Sequence, residues 1–126
     1  MVGPIDILEP GGRLIIASEC SEGLGSAEFV EAQRRLIQFG SDEFLRQILL
    51  KSHADIDEWQ TQMQLKPMAV GTLQLYSRLS PSQQALTGIC SIGSVRSAVL
   101  ESVAASGDSA VAIIPEGAYV VPFCRS

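Results

Sequence analysis

The chain has 126 residues, 46% hydrophobic and 18% charged, with a formal net charge of −5. That length carries one domain with a single core, and that composition excludes a disordered chain. The negative balance leaves no field to neutralise a row of phosphates, so nucleic acid is not an expected partner.

In chain order, "RLIIAS" at residues 13–18 follows Gly11-Gly12 and has the continuous apolar run of a strand buried on both faces. The loop "ECSEGLGS" leads to Ser26, an N-cap, with Glu28 in the first turn of a helix over 26–39. Phe29, Ala32, Leu36 and Phe39 recur in it at near-helical spacing, and Gly40 can close it. A second helix over 42–51, capped by Ser41, presents Phe44, Leu45, Ile48 and Leu49. A third begins at Asp55, which has capping-box spacing to Glu58. Trp59 falls in its first turn, and Pro67 is expected to end or bend it.

Residues 72–77, "TLQLYS", read as a second strand, and Ser80-Pro81 with Gln83 as another helix start. "ICSIG" suits a short third strand, and 94–105 a helix carrying Val95, Ala98, Val99 and Val103. "SAVAIIP" and "AYVVPF" read as strands about the turn Pro115-Glu116-Gly117, short enough for an antiparallel C-terminal pair. The alternation predicts a single α/β domain with a mostly parallel, Rossmann-like sheet flanked by helices.

No chemistry is complete in these segments. "GLGSAE" from Gly23 has two glycines of a dinucleotide fingerprint, but Glu28 stands in the third place and would repel pyrophosphate. A glycine-made corner or a ligand-lining loop at the sheet's carboxyl edge are the other readings of Gly23, Gly25 and Ser26. Cys20, after a strand and before a helix, has the placement of a nucleophile, yet the sole histidine, His53, is remote in sequence, and a small buried thiol is the ordinary alternative. Three cysteines, Cys20, Cys90 and Cys124, without a C-x-x-C pair argue for reduced thiols over a disulfide framework or zinc site. Glu19 and Glu22 read as solvated loop carboxylates, and Arg34-Arg35 as a solvated helix face. Trp59 is either a core anchor or a ring over a small anionic ligand at a helix N-terminus. No apolar run reaches the ~20 residues of a bilayer span. The N-terminus also lacks a secretory pattern, so a cytoplasmic location without a membrane partner is expected.

"PGGRLIIASECSEGLGSAEF" resembles the opening of the C-terminal domain of the nickel-dependent lactate racemase family, where a "GG-T-I-I" strand leads into a "D-G-x-G-x-x-x-F" loop. "DEWQTQMQLKPMAVGTLQLYSRL" is similar to the family's tryptophan-bearing helix and following strand, and "SAVAIIPEGAYVVP" to its "V-x-V-I-P-x-G-x-x-V" ending. Residues 40–54 and 79–106 match less clearly, and Pro67 departs from the family's uninterrupted helix.

The resemblance implies part of a 2-hydroxyacid racemase or epimerase, in which a nickel-pincer nucleotide takes a hydride from the substrate carbon and returns it on either face. In that family a separate N-terminal domain carries the cofactor lysine, the nickel-ligating histidine and the acid–base histidines, so this chain is expected to hold neither cofactor nor metal, to supply no catalytic residue and to be inactive alone. Its partners would be that domain and a small 2-hydroxyacid. The resemblance carries one substrate-contacting residue onto Trp59 and places Gly23, Gly25 and Ser26 along the same cleft. A stand-alone α/β binding or interaction module is the competing expectation, and a Cys20-based enzyme a third.

Overall fold

Uninterrupted apolar runs need cover on both sides, and the two clearest runs lie side by side. In the computed structural model, which describes residues 3–117 and 119–123, β1 (Arg13–Ala17) and β2 (Thr72–Tyr76) pair in parallel, Arg13 opposite Thr72 and Ala17 opposite Tyr76. The short β3 (Cys90–Ser91) adds in parallel on the other side of β2, giving the order β1-β2-β3. Leu73, Gln74 and Leu75 of the central strand are all buried. Gly71, just before β2, is required by close approach: a Cβ there would lie 2.4 Å from the Gly12 carbonyl oxygen, which accepts from Thr72 N–H at 2.9 Å.

Helices cover this sheet, so the α/β architecture read from the sequence is the one observed. The first, α1 (Ala27–Phe39), is capped by Ser26, whose Oγ accepts from the Phe29 N–H at 3.1 Å, and Gly40 closes it. The next two are α2 (Ser41–Leu49) and α3 (Glu58–Val70), and α4 (Pro81–Leu86) opens with the expected capping box between Ser80 and Gln83. The last, α5 (Val95–Ser106), is capped by Ser94. Ala32, Leu36 and Phe44 form the apolar core, with Ile48 and Leu65 against it. Beside it lies a buried polar seam: Gln33 Nε2 donates to Gln64 Oε1 at 2.9 Å and to Thr61 Oγ1 at 3.3 Å, and Gln64 Nε2 donates to the Thr87 carbonyl at 2.7 Å. Such a seam fixes the helix register because each member is costly to leave unpaired.

Several expectations need correction. Ser41 does not cap α2; it is the first helical residue, because Gly40 (φ 80°) ends α1 and starts α2 with no residue between. Leu49, expected in the buried stripe, is exposed, since α2 packs through Phe44 and Ile48. The third helix starts at Glu58, with Asp57 as N-cap, because Lys51 takes the Asp55 carboxylate. Half of the expected box survives: the Asp55 N–H donates to Glu58 Oε2 at 3.3 Å. Pro67 does not end α3, which continues to Val70 with the proline ring buried; one lost donor is outweighed by that packing. Residues 108–117 and 119–123 form no strand, so the C-terminal pair is not formed among the described residues, where neither segment has a sheet partner for its main chain. Ala118 of the expected second strand, and Cys124, lie outside them. No helix among the described residues is long and apolar enough to cross a membrane.

Candidate functional site

Parallel sheets bind ligands beyond the carboxyl ends of their strands. Three loops meet that edge here: 18–26 after β1, 77–80 after β2 and 92–94 after β3, each leading into a serine-capped helix. One residue separates α3 from β2, and the two pack together, so α3 runs antiparallel to the strands and its N-terminus also reaches this edge.

At one corner, Ser26 Oγ donates to Asp57 Oδ2 at 2.6 Å while accepting from Phe29 N–H, which joins the start of α1 to the start of α3. Asp57 adopts φ 61°, a conformation uncommon outside glycine, and also accepts from Gln60 Nε2 at 2.9 Å. The next residue, Glu58, is 1% exposed and takes charge-assisted hydrogen bonds from Arg35 and from Lys51 Nζ, the latter at 2.8 Å. Burial pushes the Glu58 carboxyl up, but the hydrogen bonds from Lys51, Arg35 and the Asp55 N–H, with the Arg35 charge, outweigh it and hold the carboxyl below its ordinary value. Hydrogen bonds to Asp55 and Glu58 raise Lys51 in turn. Arg35 also lies over the Phe44 ring, 5.3 Å from its centroid, joining this cluster to the core. An open cleft of about 530 Å³ runs along the corner between Ala27, Glu28, Arg35, Asp55, Ile56 and Glu58.

Beyond Glu58, Trp59 is 60% exposed, so it is not a core anchor. Trp59 stands two residues after Asp57, the hydrogen-bond partner of Ser26, and neither Trp59 nor Ser26 lines the cleft. Gly23 belongs to a second, more polar hollow of about 370 Å³ lined by Glu19, Cys20, Ser21, Gly23, Arg78 and Gln83. Gly23 (φ 69°) and Gly25 (φ 91°) use conformations that side chains rarely adopt. A Cβ on Gly23 would also meet Gln83 Nε2 at 3.0 Å, whereas Gly25 faces open space. Cys20 (φ 52°) is half-buried, with its thiol 3.5 Å from Ser18 Oγ, and His53 is not part of this hollow; it is exposed and shares a hydrogen bond with Ser52. Glu22 is exposed, as is Glu19, which pairs with Arg78 at 2.8 Å.

Arg34-Arg35 divides: Arg34 is exposed, but Arg35 is half-buried on Glu58, so only Arg34 belongs to a solvated face. Sequence reading missed the roles of Asp57, Arg35 and Lys51. The Asp55–Glu58 spacing was the available signal, since an acid that caps is an acid held near the fold. Among the described residues no three His, Cys, Asp or Glu side chains are grouped to hold a metal ion. No family model, curated protein or solved structure matches this chain.

Proposed function

We propose that this chain acts as the C-terminal, cleft-closing domain of a 2-hydroxyacid racemase or epimerase of the nickel-dependent lactate racemase type. The ordered resemblance of three segments supports this reading, and the observation that carries it into the structure is the Ser26–Asp57 hydrogen bond. That bond sets the glycine loop beside the helix start that bears an exposed tryptophan. An indole there offers a flat face and one N–H donor, and the helix N-terminus favours a carboxylate. The neighbouring acids do not oppose such a ligand strongly: Asp57 is held by Ser26 and Gln60, and Glu58 by Arg35 and Lys51.

The nickel group supplies hydride transfer when bound, but the donor set of this chain does not suit it. Its one imidazole, His53, is exposed and does not line the cleft, although its neighbour Ala54 does. The part left to these residues is to cover and orient the substrate. The chain alone, given cofactor and a 2-hydroxyacid, is expected to show no racemisation, and turnover would overturn the reading. Adding a separately produced catalytic domain should restore activity, and Trp59→Ala should then raise KM or lower kcat. Unchanged kcat and KM would remove Trp59 from the cleft.

A stand-alone small-molecule-binding module would use the polar hollow of Glu19, Cys20, Ser21, Gly23, Arg78 and Gln83, where Arg78 offers a cation at the carboxyl edge of the sheet. Under that reading the catalytic domain has no effect, and Arg78→Ala rather than Trp59→Ala weakens binding.

A further inference from the structure

The outer edge of β1 is open. In its parallel ladder Gly12 O accepts from Thr72 N–H and Ser18 N–H donates to Tyr76 O, so by alternation Gly12, Leu14, Ile16 and Ser18 bond to β2. Arg13, Ile15 and Ala17 direct their N–H and C=O groups away from the sheet, where none has a strand partner among the described residues. An open edge beside apolar residues is a template for another strand.

The chain supplies one. After β3, α5 packs against β1, two strand positions back. Gly107 ends α5 in the left-handed conformation, and only Asp108 and Ser109 separate it from "AVAII", residues 110–114. That segment has the same five-residue length as β1 and carries no charge. It leaves Val111 48% and Ile113 84% exposed. A strand laid parallel to β1 at this point would complete a β3–α5–strand crossover of the right-handed kind that such sheets use. In the structure the chain instead turns at Pro115-Glu116-Gly117, and Val120 O lies 3.2 Å from where a Gly3 Cβ would stand.

We propose that residues 110–114 are a strap that closes onto the open edge of β1 as a fourth parallel strand, giving the order strap-β1-β2-β3. Closure sets Val111 and Ile113 on one face of the sheet and Ala110, Ala112 and Ile114 on the other, and it pairs the main chain of Arg13, Ile15 and Ala17. Because the strap runs parallel to β1, it carries Pro115, Glu116 and Gly117 to the carboxyl edge of the sheet, beside the 18–26 loop. The strap gates that edge whatever ligand the edge takes. Its two-residue tether makes the same chain the occupant over a second copy, by effective concentration.

Residue-resolved amide hydrogen exchange tests this on the intact chain. Leu14 and Ile16 report that the sheet is folded, and Ile15 and Ala17 report the strap. Ile15 and Ala17 are expected to exchange at least ~10-fold more slowly than open-edge amides. Ala112→Pro and Ile113→Pro, one of which removes a ladder donor in either register, should abolish that protection while Leu14 and Ile16 keep theirs. Fast exchange at Ile15 and Ala17 with Leu14 and Ile16 protected would overturn the strap. Protection that grows with protein concentration would also overturn it, in favour of pairing between copies.

Discussion

The two corners of the carboxyl edge hold the same kind of residue in different ways. Asp57 and Cys20 both take positive φ without being glycine. Asp57 is held by Ser26 and Gln60 and stands next to Glu58, a buried carboxylate bonded to two cations. Cys20 has its carbonyl accepting from Gly23 N–H at 2.9 Å and a long thiol contact, and its hollow is bridged by an ion pair whose side chains are 82% and 63% exposed. Local strain of this kind persists where the surroundings over-determine it. The α1–α3 corner is therefore built as a rigid wall, and the 18–23 loop is the softer rim.

The strongest way to break this contrast is at Glu58. Glu58→Ala leaves Arg35 and Lys51 without their shared partner and should cost about 3 kcal/mol, read as a lower urea midpoint at unchanged slope. The same carboxyl sets an acid dependence. Its folded value lies below the ordinary 4.5, so its contribution is full above 4.5 and is lost as pH falls through the folded value. Stability of the natural chain should therefore decline below that pH, and Glu58→Gln should flatten the decline.

Next in size is a pair of substitutions of opposite sign. Asp57→Gly removes the bonds to Ser26 and Gln60 and should lower stability by about 1 kcal/mol even though φ is relieved. Cys20→Gly relieves φ with little bonding lost and should raise stability by about 0.5 kcal/mol after the entropy cost of glycine. If both variants moved in the same direction, the two corners would not differ as described. The smallest effect belongs to Arg78→Ala, expected to cost less than about 0.5 kcal/mol because its pair with Glu19 is exposed. Thermal or urea unfolding resolves all of these on one scale.

Much of the fold was legible in advance because its signals are local. Ser26 and Ser80 cap the helices where their types and spacings place them, and the runs read at 13–18 and 72–77 become the paired strands Arg13–Ala17 and Thr72–Tyr76. The misread boundaries lie where a distant partner intervenes: Lys51 draws Asp55 away from its cap, and packing carries α3 through Pro67. Gln33 and Thr61 read as ordinary polar helix positions, yet both are fully buried, Gln33 Nε2 donating to Thr61 and Gln64 from 28 and 31 residues away in sequence while Gln33 Oε1 has no partner among the described residues. Of the candidate site, Trp59 and the loop glycines were visible as residues; that of these only Gly23 lines a hollow, and that Trp59 stands exposed outside both, was not.

Alternation of strands and helices, capping chemistry and turn glycines thus followed from the sequence by itself, since each depends on neighbours within a few residues. Tertiary structure alone decided which acid is buried, which arginine answers it, that Ser26 reaches Asp57 across 31 residues, and that the edge of β1 lies open while an apolar segment stands exposed beyond α5. The physical reason is common to all of these. Burial and pairing are properties of the surfaces that meet, and a sequence read locally specifies the surfaces before it specifies their meeting.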